Sequence, residues 1–549
     1  MKKQRTKYLH ESILIVSVLF VIIASGQAQH AQPSNGAANP EVQIIEMRQA
    51  EAMFSGTQIG VEGATVFISS EAIPMIFYHN GVYLFADSAH LFRAENIFEA
   101  FGNVHANQGD TLFMYAAYLH YDANTGLMRL RENVRLEDRT MTLFTDSLNF
   151  DRIANLGYFF DGGMLVDEEN VLTSYWGQYN PDTHQALFRD NVRLVNENFT
   201  IYADTLLYNT ATQYADIVGP SRIVSEDGII YSSRGWYHTE SERAMLLDRS
   251  RVYSNDRQQV LTGDTIFYNR ATGIGEAFGN MELEDRGRSL ILRGNYGFFN
   301  ELTEFGFATD RAYAIDFSQA DSLFIGGDSL FMITIDSIHR DFRAHTNVRI
   351  WREDFQAIAD SIHYSAQDST IFMRGRPVVW HENQQIFGHE IDILMNDSTV
   401  ERVYIRGSAF VIQDRGVEDQ FNQLSGRDIT AFFRDGEIYH ILIDGNAESI
   451  YYITEDDGFV IGLDRAQSPT MSADIANQHI ERLFRLGATT GSVTPLPMLG
   501  PDDHRLPGFV WLYYLRPLHS RDIFRRNERH AGDDIIIPTR SFVREVDIW

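Results

Sequence analysis

Apolar and polar residues alternate along most of this chain in short runs, and clusters of Asp, Asn, Gly and Ser interrupt the runs. A period of two puts every second side chain on one face of an extended strand, so residues 55–466 predict strands joined by turns. Within them one pattern recurs: a small residue, Asp, Ser or Thr, an apolar residue, any residue, an aromatic. Its best copies are Ala86-Asp87-Ser88, Thr145-Asp146-Ser147-Leu148-Asn149-Phe150, Ala203-Asp204-Thr205-Leu206-Leu207-Tyr208, Gly263-Asp264-Thr265-Ile266-Phe267-Tyr268 and Ala359-Asp360-Ser361-Ile362-His363-Tyr364. In weaker copies Ala117, Tyr175, Ser233, Gly294, Asp328, Glu390 and Asp428 take the Asp position. Successive anchors are then 30, 29, 29, 29, 29, 31, 30, 34, 32, 30 and 38 residues apart.

A second motif keeps the same register. Asn103-Val104, Asn133-Val134, Asn191-Val192 and Asn280-Met281 each begin 16 residues after the anchor of their unit, and Asn347-Val348 begins 19 after its own. Turn signals such as Asp122-Ala123-Asn124-Thr125-Gly126 lie between the two motifs. Each unit therefore reads as two antiparallel strands with polar turns. No single unit buries its apolar face alone, whereas stacked units share one core. The expected fold is all-β: an elongated open β-jellyroll or β-solenoid of about twelve antiparallel repeats of roughly thirty residues, with a short irregular tail.

Period two places Phe144, Leu148 and Phe150 on one face, as it does Tyr202, Leu206 and Tyr208. The same stripe takes in Phe85, Leu91, Val104, Tyr115, Leu119, Tyr121, Val134 and Leu136, then Val192, Leu194, Ile266, Tyr268, Met281, Leu283, Ile362 and Tyr364. These residues either fill a core, as any solenoid requires, or line an apolar groove that their own side chains leave incompletely filled. The same count would put the anchors Asp87, Asp146, Asp204, Asp264 and Asp360 inside, a costly arrangement unless a bulge or corner resets the register there. They read as a structural ladder of turn hydrogen bonds, with a functional carboxylate row as the alternative.

The first residues bear on compartment. Lys2, Lys3, Arg5 and Lys7 precede an apolar run from Ile13 to Ala24 and the small residues of Gly26-Gln27-Ala28, the build of a cleavable signal peptide over 1–28. The run is short of the roughly 20 residues that span a bilayer, although an inner-membrane anchor over 13–24 is the alternative. Residues 29–54 read as a linker and lead-in strand. Removing 1–28 takes away four basic residues and Glu11, a net +3, so the formal charge of −29 becomes −32. Nucleic acid is a poor partner for such a surface. With no cysteine, the chain has neither a disulfide framework nor a thiol for lipid attachment.

The candidate catalytic and metal motifs are incomplete. Gly273-Ile274-Gly275-Glu276-Ala277-Phe278-Gly279 departs from dinucleotide-binding spacing, and His389-Glu390 lacks the second His of a zinc protease. The expectation is no metal, no cofactor and no enzyme activity. From Gln467 the period fails. Pro469, Pro495, Pro497, Pro501 and Pro507 break the chain, Ile475–Leu486 has helical spacing, and Phe509, Trp511, Tyr513 and Tyr514 lie near Arg516. Residues 467–549 thus read as an irregular tail that caps the array or docks a partner.

The motif Ala203-Asp204-Thr205-Leu206-Leu207-Tyr208, paired with Asn191-Val192-Arg193-Leu194 and repeated behind a signal peptide, resembles the organic solvent tolerance (OstA/LptA-like) family of lipopolysaccharide transport periplasmic proteins. The resemblance covers roughly residues 55–450. It implies an open β-jellyroll whose groove holds acyl chains, and a non-enzymatic bridge between an inner-membrane extractor and an outer-membrane translocon. Lipopolysaccharide or another acylated lipid is the implied cargo, and end-to-end self-association a further expectation. The length and the tail depart from compact bridge proteins, and too little chain follows the repeats for a translocon barrel. A structural or adhesive surface solenoid and a secreted polysaccharide-active β-helix enzyme are the rival readings.

Overall fold

The computed structural model describes residues 45–529, apart from 319, 337, 338, 397, 398, 436, 456–458, 477 and 478. The signal peptide expected at 1–28, its anchored alternative over 13–24, and residues 530–549 lie outside the described residues. The chain divides into Met1–Ile44 and Ile45–Trp549, and the β-structure belongs to the second unit. Among the described residues no helix is long and apolar enough to cross a membrane.

Forty strands of the described residues join in one sheet, and each paired neighbour is antiparallel. The fold is the all-β open jellyroll that the repeat predicts. Some strands are long and change register midway, such as Leu127–Glu137 and Thr142–Asp151; others are interrupted, such as Leu156–Phe159 followed by Gly163–Val166. The two halves of a long strand have different partners. Thr142–Asp151 pairs through Asn149–Asp151 with Leu156–Phe159 and through Thr142–Thr145 with Gly163–Val166. Each rung thereby contributes to two walls that meet at a corner.

The corner is where the two sequence motifs meet. Gly102-Asn103, Glu132-Asn133, Asp190-Asn191, Gly279-Asn280 and Thr346-Asn347 are consecutive residues with positive φ, and the pairing register shifts at each. Asn adopts this left-handed region more readily than most residues, which accounts for the Asn of the second motif. The anchor carboxylate of the adjacent strand lies across the corner. A Cβ on Gly279 would stand 2.7 Å from Asp264 Oδ2, so only glycine fits there without displacement. The apolar residue after Asn sits opposite the small residue before the anchor, as with Val104 and Ala116, Val192 and Ala203, and Val348 and Ala359. A bulkier residue before the anchor would collide with it in a close-packed interior.

Two expectations for the C-terminal region are corrected. The described residues of 475–486 are strand, not helix: they belong to Val460–Ala476 and His479–Leu486, and the proposed array boundary at 466/467 falls inside the first. Met471 and Ala473 face Ile443 and Ile441 across the ladder, so pairing with a preformed neighbour overrides a short helical spacing. After Thr490–Pro495 the chain leaves the sheet in short 3-10 turns, including Pro501–His504 and Tyr513–Leu515. It lies against the outer side of the array as a strap. Leu506, Leu512 and Leu515 are buried there with Trp380, Phe387 and Phe410. Two buried glutamines hold the strap backbone. Gln385 accepts from Leu512 N at 2.8 Å and donates to Val510 O at 2.7 Å, while Gln423 accepts from Leu506 N at 2.8 Å and donates to His504 O at 2.7 Å.

Candidate functional site

The interior consists of two facing rows of side chains in direct cross-strand register. On one wall Leu136 faces Leu143, and the row runs on through Leu165, Leu172, Leu194, Ile201, Ile223 and Ile230 to Val252, Leu261 and Leu283. On the other, aromatic and small residues take turns. Phe150 faces Gly157, then come Tyr179, Ala186, Tyr208, Ala215, Tyr237, Ala244, Tyr268, Gly275 and Phe299. Each large ring thus has a small residue on either side, so rings on alternate strands, roughly 9.5 Å apart, share one layer. The aromatic at the end of the anchor motif supplies every second rung of this wall.

The structure separates the residues expected to line a groove. Leu91, Val104, Leu119, Tyr121, Val134, Leu136, Leu148, Phe150, Val192, Leu194, Leu206, Tyr208, Ile266, Met281 and Ile362 are buried within one continuous core. Tyr268 and Leu283 share the inward rows but are only partly buried, and Tyr364 is 36% exposed. Phe85, Tyr115, Phe144 and Tyr202 are corrected: they are on the outer face. Between the residue before the anchor and the second residue after it, the inward parity changes, from Ala203 to Leu206 in one strand. One position of slip reverses every side chain on one arm of the strand. Outside, Tyr115 stacks with His105 at 4.6 Å and carries the Arg135 guanidinium 4.2 Å above its ring, and Arg222 covers Tyr202 at 4.6 Å.

The anchors Asp87, Asp146, Asp204 and Asp360 are exposed and Asp264 half-buried. Several bond to an adjoining corner, Asp87 and Asp264 to that of their own unit and Asp146 to that of the preceding one. Asp87 Oδ2 accepts from Asn103 Nδ2 at 2.9 Å, Asp264 Oδ2 from Asn280 Nδ2 at 2.7 Å, and Asp146 Oδ1 from Asn133 N at 3.2 Å. At three weak copies the anchor position is displaced by one residue from where its spacing puts it, later in the first and earlier in the other two. Asn295, His389 and Arg427, rather than Gly294, Glu390 and Asp428, lie at the corner, as Asn295 N to Asp310 O at 2.8 Å and His389 N to Gly407 O at 3.0 Å show.

The free edges of the two walls form a mouth, bridged by the hydroxyls of stripe residues Tyr121 and Tyr208 and by side chains that sequence reasoning did not single out. Tyr121 Oη lies 2.6 Å from His79 Nδ1 and accepts from Arg152 Nη1 at 2.6 Å, while Arg152 Nη2 donates to Asn80 O at 2.8 Å. Tyr179 donates to Asp138, and Tyr208 to Asp167, whose neighbour Asn170 donates to Tyr208 Oη at 3.0 Å. Arg270 pairs with Asp227 at 2.9 Å. Burial, and after it the carboxylate hydrogen bond, pushes the phenol pKa of Tyr179 and Tyr208 well up. The repeated 41-residue offset, Asp138 to Tyr179 and Asp167 to Tyr208, was the available sequence signal.

Burial along the interior changes where these bridges end. Leu136, Leu165, Leu172, Leu194, Phe150 and Tyr208 are at most 1% exposed, so the interior is closed there by its own side chains. From Ile230 the same row becomes partly exposed at Ile230, Val252, Leu261 and Leu283, as does the aromatic row at Tyr268, Phe299 and Phe342.

These features define a class: an antiparallel β-array of two walls around a continuous apolar interior. Residues 72–204 match the family model described as OstA-like protein, so the chain carries an OstA-like segment of the kind its repeat motifs indicate. No curated protein matches. Among solved structures the chain is similar to LptH of Pseudomonas aeruginosa, described as the LptA homologous periplasmic component of the conserved lipopolysaccharide transport device. That likeness is at 14% identity over 18% of this chain and 76% of that one, with a TM-score of 0.17.

Proposed function

We propose that this chain is a periplasmic lipid-binding bridge, exported through a cleavable signal peptide, that carries lipopolysaccharide from the inner to the outer membrane with the acyl chains in its apolar interior. The observation that carries the reading is the pair of facing, uncharged rows that continue from strand to strand; the OstA-like segment supports it. Each acyl CH₂ removed from water contributes about 0.8 kcal/mol, so one long chain contributes roughly 10 kcal/mol. The acidic exterior is screened over about 8 Å at physiological salt and does not outweigh that gain. Under this reading the partners are an inner-membrane extractor, an outer-membrane translocon and, end to end, further copies of the chain. No catalytic step is assigned.

The closed interior around Leu136–Tyr208 favours a second reading, a structural or adhesive surface solenoid whose rows are core and nothing else. A photoreactive phenylalanine analogue decides between the two. Placed at the inward Phe299 it should capture purified lipopolysaccharide, and at the outward Phe144 it should not. Equal capture at both positions, or capture at neither, would hand the function to the structural reading.

A further inference from the structure

The bridges across the mouth and the accessibility of the interior vary together along the array. Over Tyr121, Tyr179 and Tyr208 the walls are tied edge to edge and the rows between them are shut off from solvent. Asp227–Arg270 is the last such tie among the described residues. Beyond it Tyr268 bonds Glu301 and Thr334 bonds Glu304, contacts that stay along one edge. There Val252, Leu261 and Leu283 on one wall, and Tyr268, Phe299 and Phe342 on the other, are reachable from outside.

We propose that acyl chains are admitted laterally between Ile230 and Tyr364, and that the tyrosine and arginine ties hold the preceding interior closed until they are released. This rests on the lipid reading above and adds where along the array the lipid is taken up. The chemistry of the open stretch selects the occupant. The strands bearing Val252, Leu261 and Leu283 are hydrogen-bonded on both edges, so their inward faces offer no backbone partner to an incoming peptide. An alkyl chain needs none. The directly opposed rungs from Val252 to Leu292 carry no charge, and Asp285 beside them is already held by Arg288 at 2.6 Å and Gln259 at 2.9 Å.

Because the chain has no cysteine, single thiols report accessibility directly. In the full-length protein, Leu283→Cys should react with N-ethylmaleimide at least about tenfold faster than Leu172→Cys, since the latter needs a local opening first. Adding Tyr179→Phe and Tyr208→Phe, which keep the rings and delete the ties, should raise Leu172→Cys labelling severalfold while leaving Leu283→Cys unchanged. Purified lipopolysaccharide should then protect Leu283→Cys in the parent and both thiols in the released variant. Equal reactivity at the two positions, or no response to the tyrosine changes, overturns the closed-and-open division. Faster labelling of Leu283→Cys with no protection by lipopolysaccharide leaves that division standing and overturns the lipid reading beneath it. Should the double tyrosine variant fail to fold, Asp138→Asn and Asp167→Asn weaken the same ties and serve in its place.

Discussion

At the scale of single residues the corner accounts for most of the repeat motif. Gly279 needs a positive φ and an empty Cβ position beside Asp264, so Gly279→Ala should cost about 1–2 kcal/mol. It should lower the thermal midpoint, whereas Gly287→Ala in the nearby turn, with no atom closer than 3.5 Å, should not. The interior tyrosines predict a pH limit. Tyr179 and Tyr208 have phenol pKa values raised above the ordinary 10.0 by burial and by their carboxylate partners. A group with a raised folded pKa stabilises fully below its unfolded value and loses that contribution as pH climbs past it. Thermal stability should therefore hold to about pH 10 and fall above it, and Tyr179→Phe with Tyr208→Phe should flatten the fall. An unchanged slope in that variant would mean the two phenols are not the groups involved.

At the scale of elements, alternation of large and small residues across the aromatic wall makes a sharper claim than burial alone. Tyr237 faces Ala244 directly. Tyr237→Ala should leave a cavity costing about 3–5 kcal/mol and Ala244→Tyr should overpack the same layer by about 1–3 kcal/mol. The swapped double variant should recover a large part of both losses, and strict additivity in thermal melts would show that the two strands do not share a layer. The strands, their hairpin turns and the repeat length were legible in the sequence because period two and turn chemistry are local signals. In the anchor strands the inward face was legible on one side of the corner only: Leu148, Phe150, Leu206 and Tyr208 are interior, but Phe144 and Tyr202 are outside because the corner changes parity in mid-strand. The ties at Asp138, Asp167 and Asp227, and the glutamines that hold the strap, join residues from 41 to 127 positions apart, and nothing local marks them.

At the scale of the whole molecule, a single interior runs through the stacked rungs, closed over its earlier part and accessible further on. A wall that merely fills itself gains nothing from exposing Val252, Leu261, Leu283 and Phe299, since each exposed apolar side chain forgoes burial worth up to about 1.5–3 kcal/mol. Uptake of an apolar chain restores it. The most direct test compares intact lipopolysaccharide with the same molecule stripped of its acyl chains, each titrated against the full-length protein with the carbohydrate and phosphates left in place. Binding of the intact molecule with at least about a hundredfold loss on deacylation is the predicted result, since burial of only four methylenes already exceeds 2.7 kcal/mol. Equal affinity for the two would show that the apolar interior does not hold the lipid.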